Sequence, residues 1–401
     1  MSKILFLNHN VIGKSTYHRC FCLARELVLF GHSVTLLTNS EKDRIKFKEY
    51  LKLGVQIVEC PDLFWDSLRT GWDPVNMARR CLYLTDKQFD LIHAFDTRLT
   101  VIIPALFYLI FIKKVPLVID WADWWGKGGA ITLRPHKLLN RLFSPVETFF
   151  EEYFRKYADH TTVISTALYK RAKNLGLRAE TISILHSGAD TRTIYPVNKV
   201  HAREELGLPD NVKICVFPGF VLYDLKMVLD TFQYIHARNP NIILLLLGEY
   251  PKILLEPYQT FLDNNSIRII GNVGKDKLRL YLSASDVALL PLSDTLTNRA
   301  RFPMKFGDYL ASGIPFVTNK VGDIGNLVEK YKLGFLVDYS ASSMGEKILW
   351  IFDHPKEAEK ISKRALRFAR KKFSWEIVAQ NLITIYHFLL KLNFDKFNRS
   401  V

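Results

Sequence analysis

Two stretches roughly 210 residues apart open in the same way. Residues 3–8 read KILFLN, continue through HNVIGKST, and enter an apolar-periodic run over 17–30. Residues 213–217 read KICVF, continue through PGFVLYD, and enter a similar run over 225–235. An unbroken apolar run of five or six residues is a strand buried on both faces, as in a parallel sheet covered by helices. A chain that begins strand, glycine-containing loop and helix twice folds as two doubly wound α/β units, each with its own sheet. Strand-like runs follow at 33–38, 55–60, 91–95, 116–120 and 161–165, then at 242–248, 267–271, 287–292 and 314–319. Ligands of such sheets bind beyond the carboxyl ends of the strands, and two Rossmann-like units facing across a cleft put the expected site there. The turn-rich segment HSGADTRTIYPVN, 186–198, marks the boundary. The expected units are 1–190 and 191–373. Residues 374–401 form a closing amphipathic helix and tail packed back toward the first unit.

Charge narrows the partners. The 401-residue chain holds 55 Lys and Arg against 40 Asp and Glu, an excess that favours an anionic partner. The excess is spread over both halves and no nucleic-acid motif accompanies it, so no nucleic-acid partner is expected. The remaining classes are a phosphorylated small molecule and an anionic membrane surface. Cys20, Cys22, Cys60, Cys81 and Cys215 contain no Cys-x-x-Cys pair, which argues against a zinc site or disulfide framework and for reduced thiols. The apolar start is too short for a signal peptide, and residues 99–112, interrupted by Pro104, are too short to span a bilayer. A cytoplasmic protein is expected, soluble or peripheral on the membrane's cytoplasmic face.

Four segments carry candidate chemistry. GKST at 13–16 lacks the glycine that a nucleotide-cleaving P-loop needs five residues earlier, where Asn8 stands. Gly13 can still let backbone approach a ligand, with Ser15 or Thr16 capping the next helix. In NRARFPMKFGD, Arg299, Arg301 and Lys305 lead into a short helix opened by Pro303 and closed by Gly313. Cations at a helix start make a phosphate trap, and Asp308 one turn inside suits a sugar diol. The alternative is a solvated basic loop. DWADWWGKGG crowds Asp120, Asp123, Trp121, Trp124 and Trp125 after a strand. Such residues bind hydroxyls or stack on sugar rings, or the carboxylates merely cap a turn. His93 and Asp96 sit at another strand end. The stripe Leu138, Leu142, Val146, Phe149 and Tyr153, near Arg134, Lys137 and Arg141, packs on the sheet or lies on a membrane. The loop 64–72 is a second membrane candidate.

The segment GDYLASGIPFVTNKVGD resembles the retaining family 4 (group 1) glycosyltransferases of GT-B architecture, with Asp308 at their acidic position. ADHTTVISTAL, ILHSGADTRTIYP, IRIIGNVGKDKLRLYLSASDVALLPL and KKFSWEIVAQNLITIY extend the resemblance in the family's order over nearly the whole chain. It implies a donor on the second unit: base near Gly271 and Val273, ribose at Asp308, diphosphate at Gly219, Lys226, Arg301 and Lys305. It also implies transfer with retention and no metal or other cofactor. Ala300 and Ala122 stand where the family usually has Glu and His. Asp123 and Asp120 are then the catalytic candidates, with Gly13, Trp124 and His93 toward the acceptor. The expected function is sugar transfer from a nucleotide-diphosphate sugar to a glycan or lipid-linked glycan hydroxyl. The alternative is a non-catalytic or regulatory nucleotide-sugar-binding protein.

Overall fold

The computed structural model describes residues 1–399 apart from 15, 65–67, 134–136 and 220–221. It divides into one unit made of Met1–Ser187 and Trp375–Val401 and a second made of Gly188–Ser374.

In the first unit, strands β1 (Lys3–Val11), β2 (Ser33–Asn39), β3 (Lys48–Lys52), β4 (Val55–Cys60), β5 (Leu91–Phe95), β6 (Leu117–Trp121), β7 (His160–Val163) and β8 (Ile182–Ile184) form one sheet. Its order is β3-β4-β2-β1-β5-β6-β7-β8. Every pair is parallel except β3 with β4. The unbroken apolar runs are the central strands, and β5 is buried along its whole length. β3 was not expected. Its sequence, KEYLK, is exposed or half-exposed throughout and pairs on one side only, so it lacks the buried-strand signature. Leu5, Leu7, Ile92, Ile119 and Tyr108 belong to the core cluster on one face. The helix Trp375–Arg399 packs on Thr16–Leu29.

In the second unit, β9 (Lys213–Pro218), β10 (Ile242–Leu247), β11 (Ile267–Ile269), β12 (Val287–Leu290), β13 (Phe316–Thr318) and β14 (Phe335–Leu336) are all parallel. Their order is β11-β10-β9-β12-β13-β14. The order turns back on either side of β9, so the loops after β9 and β12 diverge there and leave a crevice at the carboxyl edge. All five cysteines are buried thiols outside any disulfide. Among the described residues no helix is long and apolar enough to cross a membrane.

Candidate active site

The second unit gathers its polar residues at that edge. β9 ends at Pro218, and Gly219 turns the chain with φ +127, a conformation that side chains disfavour. A Cβ on Gly219 would sit 3.0 Å from Lys305 Nζ, and a Cβ on Gly248, beyond β10, would sit 2.8 Å from the Gly219 carbonyl oxygen. The Tyr250 hydroxyl donates to that same carbonyl. The two glycines therefore let this backbone corner pack close against the Lys305 amine and against the Gly248 backbone.

Lys305 lies in the first turn of the helix Met304–Ser312, which Gly313 ends in the left-handed conformation. Its Nζ is buried without a hydrogen-bond partner and lies 3.9 Å from the Phe217 ring centroid. Burial pushes this amine down to about 7, against the pull of Asp224 and with the push of Arg301. Arg301 Nη2 is 2.6 Å from Asp224 Oδ2, so that oxygen is taken by Arg301 and not by Lys305. Asp308 is buried and 2.7 Å from Lys275 Nζ. Gly271, at φ +79, and Val273 are half-buried in the loop after β11.

The basic loop is therefore not a solvated cation run. Arg299 is the surface member, paired to Asp294 at 2.5 Å. Lys226 also departs from expectation. It stands on the helix Leu222–His236, 78% exposed, in an i,i+4 pair with Asp230, because helical spacing turns it outward.

The first unit corrects two expectations. Asp120 is not at an open edge. It lies within β6, wholly buried, with its oxygens 2.9 Å from Arg19 Nε and Nη2 and Oδ1 2.6 Å from Thr162 Oγ1. Burial pushes its carboxyl up, but the Arg19 charge and hydrogen bonds outweigh this and hold it below the usual range. His93 is not acceptor-facing either. It is fully buried, stacked on Phe95 at 4.3 Å, with Nδ1 2.6 Å from the Tyr386 hydroxyl. Burial lowers its pKa to about 3. Both are core anchors, each held by a partner far away in sequence.

Asp123 follows β6 at its carboxyl edge, half-buried and engaged with neighbours. Glu151 organises its loop, accepting from Trp121 Nε1 at 3.1 Å and from the Trp125 and Gly126 amides at 2.7 Å. Trp124 has one ring face under the Arg171 guanidinium at 3.8 Å, which removes that face as a sugar platform. Gly13 is exposed with φ +78, and its carbonyl is 2.7 Å from His18 Nε2. Ser15 lies outside the described residues; Thr16 opens the helix Thr16–Leu29.

Asp96, expected at a strand end, belongs to a charged cluster at the carboxyl ends of β1 and β5 whose other members, His9, Arg98 and Arg69, sequence reasoning missed. Asp96 takes φ +83, a strained position for a residue with a side chain. Its Oδ2 is 3.3 Å from Arg98 Nε and 3.8 Å from His9 Nδ1. Burial first, then Arg98, keep His9 neutral. Arg98 and Arg69 both lie over the Trp125 ring, at 4.4 and 4.7 Å. The one available signal was Asp-Thr-Arg directly after the apolar run LIHAF. Among the described residues no group of three or more His, Cys, Asp or Glu could hold a metal ion.

Comparison with known proteins agrees with this architecture. Residues 199–368 match the family described as Glycosyl transferases group 1, and residues 19–193 match Glycosyltransferase Family 4. The D-inositol 3-phosphate glycosyltransferase of Nocardioides sp. is 22% identical over 225 residues, 51% of this chain and 48% of that protein. The chain spans about half the length of the curated relatives it matches. Among solved structures, sucrose-phosphate synthase from Thermosynechococcus elongatus superposes with TM-score 0.76 at 17% identity, covering 98% of this chain and 100% of that one. Anabaena HepE in complex with UDP and glucose superposes with TM-score 0.70 at 17% identity, covering 97% and 100%.

Proposed function

The chain belongs to the family 4 (group 1) glycosyltransferases of GT-B fold, and on that premise we propose that it transfers a sugar, with retention, from a nucleotide-diphosphate sugar to a hydroxyl of a glycan or lipid-linked glycan. The observation that carries the donor half is Lys305. A buried amine with no partner, at a helix start and beside the side-chain-free backbone of Gly219, is complementary to a phosphate oxygen. In this reading the leaving diphosphate lies over Gly219 toward Lys305 and Arg301, whose charge stabilises it as the sugar departs. Asp308, steadied by Lys275, receives the ribose, and the loop at Gly271 and Val273 borders the base. The solved complexes of Anabaena HepE with UDP and UDP-glucose support a uridine donor of this kind. On the first unit, Asp123 and Gly13 border the acceptor, and Asp123 orients its hydroxyl.

Calorimetric titration with UDP, ADP and GDP tests this reading. One diphosphate is expected to bind well above its nucleoside. Lys305→Ala is expected to weaken that diphosphate by about 10–100-fold, the worth of one hydrogen bond between charged groups, and to leave the nucleoside unchanged. Equal weakening of both, or none, removes Lys305 from the phosphate site.

The acceptor side is proposed to rest on an anionic membrane surface. Phe143, Val146, Phe149, Tyr153 and Tyr157 are exposed on and just after the helix Lys137–Tyr153, and Lys156 Nζ lies 3.5 Å from the Tyr153 ring centroid. Aromatic residues beside lysines suit a headgroup interface. The remaining stripe side chains, Leu138 and Leu142, and those of Arg134, Lys137 and Arg141 lie outside the described residues. Flotation with phosphatidylglycerol vesicles is expected to show binding that falls as salt rises. A chain that stays unbound at low salt has a soluble acceptor.

A further inference from the structure

Lys305 is walled by groups that do not satisfy it. From the helix Leu222–His236 comes Asp224, whose Oδ2 is held by Arg301 and whose Oδ1 is buried without a hydrogen-bond partner. Arg301, just before the helix of Lys305, brings a like charge. From the end of β9 come the Phe217 ring and the bare backbone of Gly219. From beyond β10 comes the Tyr250 hydroxyl, which donates to the Gly219 carbonyl. On its own helix, Asp308 is held by Lys275, and the Tyr309 hydroxyl donates to the Leu289 carbonyl at 2.9 Å. Tyr339, beyond β14, lies within electrostatic reach of Asp224 and Arg301.

The electrostatic balance follows from these neighbours. An ammonium here loses its water and receives no hydrogen-bond acceptor in exchange, which favours the neutral amine. Asp224 pulls the other way, but Arg301 offsets that pull. A nucleoside diphosphate would reverse the balance by bringing anionic oxygens to the backbone of Gly219 beside the amine.

We propose that the buried, unpartnered Lys305 amine beside Gly219 takes up one proton from solvent when the donor diphosphate binds. The amine lone pair accepts that proton, and no bond of the donor breaks. This rests on the donor site assigned above and adds a specificity device to it. A ligand without an anionic β-phosphate does not drive protonation and does not gain from it. The pH slope follows by linkage. The bound form holds more protons than the free form, so affinity falls as pH rises above the free-state value of about 7.

The test is titration calorimetry of UDP, ADP and GDP against the whole chain at pH 8. Each titration is run in a buffer of low and a buffer of high ionisation enthalpy. At this pH the free nucleotides are fully ionised, so the difference counts protons taken up by the protein. Uptake of roughly one proton per site is expected, with Kd rising close to tenfold per pH unit near pH 8. Lys305→Met, checked for folding by thermal melting, is expected to bind with no uptake. Lys305→Arg, charged throughout this range, supplies the same control if the Met variant does not fold. Diphosphate binding with equal heats in both buffers overturns the proposal and leaves the donor reading standing. Uptake that persists in either folded variant overturns it as well. Failure of all three nucleotides to bind overturns the donor reading on which it rests.

Discussion

Arg19→Met is expected to destabilise the unit formed by Met1–Ser187 and Trp375–Val401 by about 3–5 kcal/mol, the usual cost of leaving one member of a buried ion pair alone. Arg19 gives two hydrogen bonds to Asp120 and a third, at 2.7 Å, to the Leu185 carbonyl. Its removal strands a carboxylate that is wholly buried. Six of the seven tryptophans belong to this unit, so tryptophan fluorescence in a urea titration reads mainly its unfolding. The pH dependence has a fixed sign. The folded Asp120 carboxyl is held below its ordinary value, so its contribution is complete above that value and is lost as pH falls. In the variant, burial is opposed mainly by His93 and the Thr162 hydrogen bond, and protonation relieves the stranded charge. The deficit is therefore largest at neutral pH, begins to shrink above the ordinary carboxylate value of about 4 as the stranded carboxyl protonates, and shrinks further below it. A deficit under about 1 kcal/mol at pH 7 would mean that water replaces Arg19 around Asp120.

Gly219→Val is expected to raise the Kd for the bound nucleoside diphosphate by about 10²-fold, through loss of a hydrogen bond between charged groups and added backbone strain. The residue holds φ +127, where a β-branched side chain is strained. Its Cβ would stand 3.0 Å from Lys305 Nζ and 3.3 Å from Cε. The lysine end is flexible enough to yield, so the unit is expected to fold while the amine leaves its place. Calorimetric titration together with a thermal melt separates the two effects. Affinity within a few-fold of wild type in a folded variant would show that the diphosphate does not approach over Gly219.

How much was legible depends on whether a residue's partner is near in sequence. Buried parallel strands carry their own evidence: IILLLL in β10 and LIHAF in β5 are apolar because both faces are covered. The short strands β8 and β14, with three and two residues, are too brief to show a period. Asp120 reads as a site residue because carboxylates after buried strands often are. Its partner Arg19 lies 101 residues earlier, and only the sheet brings the two together. His93 was misread for the same reason, its partner Tyr386 being 293 residues away. Lys305 was visible as a cation at a helix start. The missing partner that defines it is a property of the packing around it, of Arg301 reaching Asp224 first, and no local pattern encodes that.

The first unit is written in two pieces. Its chain stops at Ser187 and resumes at Trp375, with a contiguous second unit between. A ribosome making this protein from its amino end therefore finishes the second unit's core before the first has all of its parts. Until Tyr386 emerges, His93 has no hydroxyl to meet, and the face of Thr16–Leu29 that receives the last helix stays bare. The nascent chain carries an incomplete first unit through the synthesis of the whole second one, and it is in that interval that a chaperone finds the most apolar surface to hold.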